Sequence, residues 1–219
     1  ENVRPSGLIA IRLDDAPEGQ DELGWVRRTR GGQELIVVTE KGQALRFREN
    51  DVRPVGRTAM GVYAIKLKPG DRVVSASIVD PEADLLTVTT KGFGKRTPLS
   101  AFRTQGRYTK GVLCFKGANA GSIAAAGVVH PKDQITFITT GGIALRTHAR
   151  EISRMGRVAR GVTIMDLKPG DAIASMAVME NDEPEAVPEG SPGDGPQADV
   201  ASQAESNQEV ASPNREEEG

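Results

Sequence analysis

The side chains with the most chemical reach in this chain are cations, and they recur in register. Lys41, Lys91 and Lys95 sit in or beside short glycine-bearing turns, and Arg46, Arg96 and Arg146 follow at steps of fifty residues. Arg48 lies just beyond the first of these arginines, and His148 and Arg150 just beyond the third. A second set occupies Gly-Arg-x-x-x-Gly loops: Arg57 in the first, Arg107 and Lys110 in the next, Arg157 and Arg160 in the last. Ammonium and guanidinium groups held beside glycines suit phosphate oxygens, because glycine lets the anion approach backbone N–H groups. The chemistry is ionic binding of a polyanion. A reaction has little to work with. His130 and His148 have no second ligand at metal spacing, and the single thiol, Cys114, has no plausible catalytic histidine. Gly92-Phe93-Gly94-Lys95-Arg96-Thr97 lacks the spacing of a phosphate loop and sits between two strand-like runs. No catalytic, cofactor-binding or metal-binding residue is expected.

The charge is divided along the chain. Of 30 acidic residues, 12 fall in 180–219 beside a single cation, Arg215. The 27 basic and 18 acidic residues that remain make 1–179 net +9, against −11 for the tail. From Leu85 to Lys132 there is no Asp or Glu at all. A basic body implies a polyanionic partner, and an acidic tail implies a competitor for the same surface.

The elements that carry these cations repeat. Thr39-Glu40-Lys41-Gly42-Gln43-Ala44-Leu45-Arg46 returns as Thr89–Arg96 and as Thr139–Arg146. Gly56–Val62 returns as Gly106–Val112 and Gly156–Val162, and Leu67-Lys68-Pro69-Gly70-Asp71 returns as Leu167–Asp171. Three motifs in one phase define a structural unit of about fifty residues, a period that belongs to propellers and related arrays. Leu35–Thr39 and Ala44–Phe47 flank a tight Lys-Gly turn and read as a β-hairpin. A third strand is expected over Gly61–Leu67 and a fourth over Val73–Val79, which makes a four-stranded blade. The expected organisation is the end of a truncated upstream blade at 1–24, then blades at about 25–75, 76–125 and 126–179. A ring of blades places equivalent turns on one rim, where the cations form a curved stripe able to follow a phosphate backbone without reading bases. On that reading Lys91, Lys95 and Arg96 are exposed, and their loss leaves stability within ~0.5 kcal/mol per residue.

The stretch 180–219 is rich in Glu, Pro, Gly, Ser, Ala and Gln and is expected to be disordered. With one cysteine the chain cannot form an internal disulfide, which fits a reducing compartment. No apolar run approaches the ~20 residues of a membrane span. The chain opens in mid-pattern at Glu1, as expected for the C-terminal part of a longer protein.

The hairpin motif, the Gly-Arg-x-x-x-Gly-Val step, Gly92–Thr97 and Thr109-Lys110-Gly111-Val112 together resemble the C-terminal domain of DNA gyrase A. The resemblance spans almost all of 1–179. It implies a β-pinwheel, a propeller-like array of four-stranded blades that exchange strands with their neighbours, here as an incomplete ring. It also implies a DNA-wrapping module within an ATP-dependent type II topoisomerase that supercoils DNA negatively. The implied site is Lys41, Arg46, Arg48, Arg57, Lys91, Lys95, Arg96, Arg107, Lys110, Arg146, Arg157 and Arg160 on double-stranded DNA. ATP and Mg would act on other domains or other chains of the enzyme, and gyrase B and a second copy of gyrase A would join through upstream domains. The location implied is cytoplasmic, at the nucleoid. The family's basic-glycine box, Gln-Arg-Arg-Gly-Gly-Arg/Lys-Gly, is not in this chain; loops 55–61, 105–111 and 155–161 match its position. The corresponding domain of topoisomerase IV fits the same repeat. A propeller used for protein docking remains a reading of another class, marked by exposed aromatic anchors.

Overall fold

The computed structural model describes residues 7–14 and 21–179; the acidic stretch expected to be disordered lies outside the described residues. Eleven strands follow in order: β1 (Glu34–Thr39), β2 (Gln43–Arg48), β3 (Val73–Ile78), β4 (Asp84–Thr89), β5 (Phe93–Pro98), β6 (Val112–Leu113), β7 (Ile123–Val129), β8 (Gln134–Thr139), β9 (Ala144–His148), β10 (Val162–Thr163) and β11 (Ile173–Met179). The only helices among the described residues are single 3-10 turns, three of which directly follow β2, β5 and β9. The fold is all-β and antiparallel, as the short β-rich runs require.

Each hairpin is built the same way. The threonine that opens the Thr-x-x-Gly turn accepts from the glycine N–H through its carbonyl, at 3.0–3.1 Å, in all three copies. Its hydroxyl then accepts the next N–H at 3.2 Å, from Gln43, Phe93 and Ile143 in turn. Gly42, Gly92 and Gly142 take φ of 80, 76 and 79°, a left-handed conformation that costs glycine little. The Pro-Gly-Asp motif also gains a purpose. Asp71 accepts from the Lys41 N–H and Asp171 from the Gly141 N–H, so each aspartate fastens the adjacent hairpin tip. The hydroxyls of Thr139 and Thr140, with the N–H groups of Gly141 and Ala172, hold the Asp171 carboxyl down at about 2.

The strand order corrects the expected blade. The first sheet runs β3-β1-β2-β6 and the second β10-β5-β4-β7. Thus β6, which follows β5 in sequence, pairs with β2 of the unit before it through Gln43↔Leu113 and Ala44↔Val112. Likewise β10 pairs with β5 through Gly94↔Val162 and Phe93↔Thr163. The third strand of each unit therefore belongs to its predecessor. The third sheet is only β11-β8-β9, and its β9 edge has no donated strand among the described residues. Residues 61–67, expected as a strand, form a single bridge from Ile65 to Thr109.

The cores lie between sheets. Ile36, Val38, Leu85, Leu99, Phe102, Cys114 and Phe115 fill the space between the first and second. Leu86, Val88, Ile135, Phe137 and Ile152 fill that between the second and third. The middle strand β4 is buried along its whole length because it is packed on both faces, with Leu85 in the first core and Leu86 and Val88 in the second. Each fully buried Leu or Ile there is worth roughly 1.5–3 kcal/mol of transfer free energy.

Candidate nucleic-acid interface

Strand exchange decides where each cation goes. Arg46 bonds Glu34 on the neighbouring strand and donates to the Leu99 carbonyl of the next unit at 2.8 Å. Burial pushes the Glu34 carboxyl up, but the Thr104 hydroxyl and the Arg46 guanidinium pull it below its ordinary range. Arg96 repeats the arrangement in a drier place, 8% exposed, pairing with Asp84 at 2.9 Å and donating to the Ile152 carbonyl at 2.9 Å. Arg154 reaches the other side of Asp84 at 2.9 Å. Arg146, at the third position of this series, is exposed and has no following blade among the described residues to bond.

Lys95 departs furthest from expectation. It is fully buried, and its ammonium donates to the Gly156 and Arg157 carbonyls at 2.8 and 2.6 Å. It lies 5.5 Å from the centre of the Phe115 ring. Burial lowers its pKa to about 8, with the Arg157 charge adding to the shift. Burial likewise pushes the Cys114 thiol up to about 12. The positions that match Lys95 in the other units are Leu45 and Leu145, so this lysine occupies a core position and ties β5 to the incoming loop. The expectation that Lys95 and Arg96 are exposed turn residues does not hold: both lie on the strand after the turn, and the neighbouring unit covers them.

Arg107 and Arg157 are fasteners of another kind. Arg107 donates to the carbonyls of Asp51 and Tyr63 at 2.7 and 2.6 Å, and Arg157 to that of Leu113 at 2.6 Å. In the second and third Gly-Arg-x-x-x-Gly loops the spacing thus serves the junction: the arginine turns inward to the preceding exchange segment.

The remaining cations face solvent. Arg48, Arg57 and Lys110 are exposed and their side chains make no hydrogen bond or close ion pair among the described residues, although the Arg48 charge helps to lower the Glu34 carboxyl. Lys41 and Lys91 are exposed, and their ammonium groups donate to the Pro69 and Asn119 carbonyls. They share a cleft at the hairpin tips with Lys116. Arg160 stacks 4.7 Å from the Phe93 ring centre, and its stem would lie 3.2 Å from a Cβ at Gly117, next to Lys116. One step earlier, the Lys66 N–H donates to the Thr109 carbonyl at 2.9 Å, which brings Lys66 beside Lys110. A pair of exposed cations therefore recurs at successive junctions, Lys66 with Lys110 and Lys116 with Arg160.

A model of the DNA gyrase C-terminal domain, described as a beta-propeller, matches residues 33–80, 83–116 and 133–178. The chain belongs to that family. Its relatives include the DNA gyrase A of Haloquadratum walsbyi, 44% identical over 84 residues, which is 38% of this chain and 9% of the relative. That of Clostridium acetobutylicum is 56% identical over 62 residues, 28% of this chain and 7% of the relative. The chain's match thus spans under a tenth of the length of these curated relatives. Among solved structures, a DNA gyrase A C-terminal domain aligns with a TM-score of 0.70 and 31% identity, covering 80% of this chain and 59% of that one. A C-terminal domain of DNA topoisomerase IV aligns with a TM-score of 0.66 and 28% identity, over 69% of this chain and 48% of that one.

Two features of this gyrase-type domain go beyond the residues that the sequence singles out. Lys66 falls in a stretch expected as a strand, and Tyr63 and Tyr108 belong to a chain otherwise poor in aromatics. The fifty-residue step carries the signal for Lys66, since it aligns with Lys116.

Proposed function

We propose that this module binds duplex DNA along its exposed junction cations, neutralising backbone phosphates and bending the duplex across successive blades. Recurrence of the Lys66–Lys110 and Lys116–Arg160 pairs at consecutive junctions carries the reading. Charges spaced by the blade step can contact a backbone at regular intervals, and such contacts position a duplex without reading its sequence. Arg57, Arg48, Lys41 and Lys91 extend the surface. Family membership and the identity to gyrase A proteins support a place in a type II topoisomerase with ATP-dependent supercoiling. In that assembly ATP and Mg act on other domains or other chains, alongside gyrase B and a second copy of gyrase A, in the cytoplasm.

Titration of a labelled duplex across a salt series tests this. With ~5 phosphates neutralised, log K falls against log salt with a slope of about −4.5. Binding that ignores salt overturns it.

A further inference from the structure

The residues aligned with Tyr63 and Tyr108 one step on are Leu113 and Val158, so of the two junctions only that of Lys66 and Lys110 carries this pair of tyrosines. Both rings face solvent, Tyr63 being 76% and Tyr108 53% exposed. Their centroids lie 5.3 Å apart at an interplanar angle of 34°. Exposed aromatics of this size cost solvation unless a partner covers them, and a tyrosine ring offers a rigid flat face for one.

The backbone holds the pair firmly. Tyr108 has φ of 58°, the only positive value at a non-glycine position among the described residues. A side chain in that conformation persists only where its surroundings enforce it. Here the Tyr108 N–H donates to the Ala64 carbonyl at 2.7 Å, and Arg107 donates to the Tyr63 carbonyl at 2.6 Å. Buried Ile65 bridges Thr109 between them. Cations flank the rings: Lys66 reaches to 6.0 Å from the Tyr108 centroid, and Lys110 follows two residues on. Segments 63–66 and 107–110 contain no carboxylate. A π-face set between fixed cations fits a nucleic acid, whose bases stack while its phosphates pair. An apolar protein partner would leave both lysines facing uncompensated desolvation.

We infer that the Tyr63–Tyr108 pair is a stacking wedge that enters a base step of the bound duplex where it bends over this junction, with Lys66 and Lys110 on the flanking phosphates. This rests on the DNA-binding reading above. Pyrimidine–purine steps unstack and kink most easily, so the wedge confers a preference for duplexes with such a step at the bend.

The test uses the full chain and two duplexes of equal length, one with a central TpA step and one with a central A-tract, titrated over a salt series. The unaltered chain binds the TpA duplex more tightly, and 2-aminopurine beside the step brightens on binding. The double variant Tyr63→Ser, Tyr108→Asn keeps a residue that tolerates positive φ. It loses about tenfold in affinity for the TpA duplex, together with the preference and the brightening. Its salt slope is unchanged because no charge was removed. Tyr63→Phe, Tyr108→Phe keeps all of these properties. Equal affinity and preference in the Ser/Asn variant, with salt-dependent binding intact, overturns the wedge and leaves the rings to a protein partner. Absence of salt-dependent binding in the unaltered chain overturns the DNA-binding reading itself.

Discussion

Arg96 and Asp84 form a buried ion pair, with Nη1 2.9 Å from Oδ2 and side chains 9% and 4% exposed. Their further partners come from the following unit, since Arg96 also donates to the Ile152 carbonyl and Asp84 also accepts from Arg154. The pair is therefore a rivet between blades. Removing one member of a buried pair leaves the other charge poorly compensated, so Arg96→Ala is expected to cost about 3 kcal/mol. Arg146→Ala, at the matching exposed position, should stay within ~0.5 kcal/mol. Urea unfolding of both variants compares them; equal stabilities would mean that the pair does not bind the blades together.

The exchange segments depend on glycines that nothing larger can replace. Gly111 has φ of 67°, and a Cβ there would collide with the Ala44 carbonyl oxygen. Gly161 has φ of 83°, and its Cβ would sit 2.7 Å from the Gly94 carbonyl oxygen. Strain of this kind costs roughly 1–3 kcal/mol before the collision is counted. Gly111→Ala and Gly161→Ala should each lower the thermal midpoint by several degrees, about 2–4 °C for each kcal/mol lost. Gly156→Ala meets nothing within 4 Å and should leave it unchanged. A midpoint for Gly111→Ala equal to that of Gly156→Ala would contradict the packing described.

Lys95 and Cys114 give stability a particular alkaline profile. Lys95 falls from 10.5 to about 8 on folding, mainly through burial. Between those values the unfolded chain holds a proton that the folded chain has released, so stability rises with pH through this window. Cys114 rises from 9.0 to about 12, again through burial. Above pH 9 the unfolded chain sheds a proton that the folded chain keeps, so this group makes stability fall. The two slopes are equal and opposite from about pH 9 to 10.5. Stability should therefore climb between about pH 8 and 9 and then level off. Lys95→Met should abolish the climb, and Cys114→Ala should extend it. Denaturant midpoints at half-unit pH steps would show this, and a Lys95→Met profile parallel to that of the unaltered chain would refute it.

The fold is legible in the sequence because its signals are local and repeated. The threonine and glycine of each hairpin act within four residues, so their fifty-residue echo reports a real unit. Strand exchange is not legible from patterning, because Val112 and Leu113 look the same whichever sheet they join. The family resemblance supplies what the pattern lacks. The candidate site divides along the same line. Arg57 and Lys110 read as surface cations and are exposed. Lys95, Arg96, Arg107 and Arg157 carry the same charges but point at carbonyls of a neighbouring unit, and a sequence does not show which unit will cover a strand. Only the three leucine-or-lysine positions, Leu45, Lys95 and Leu145, hint that Lys95 fills a core site.

The central claim is that the exposed junction cations bind phosphate while the buried ones bind blades together. The measurement that tests it most directly is the salt dependence of duplex affinity in two variant sets. Replacing Arg57, Lys66 and Lys110 together by Ala should reduce the magnitude of the log–log salt slope by up to about 2.7, near 0.9 for each lost phosphate contact, while the thermal midpoint holds. Replacing Lys95 by Met should leave the slope of the folded protein as it was. An unchanged slope in the first set, or a reduced slope in the second, would contradict the division of labour drawn from the structure.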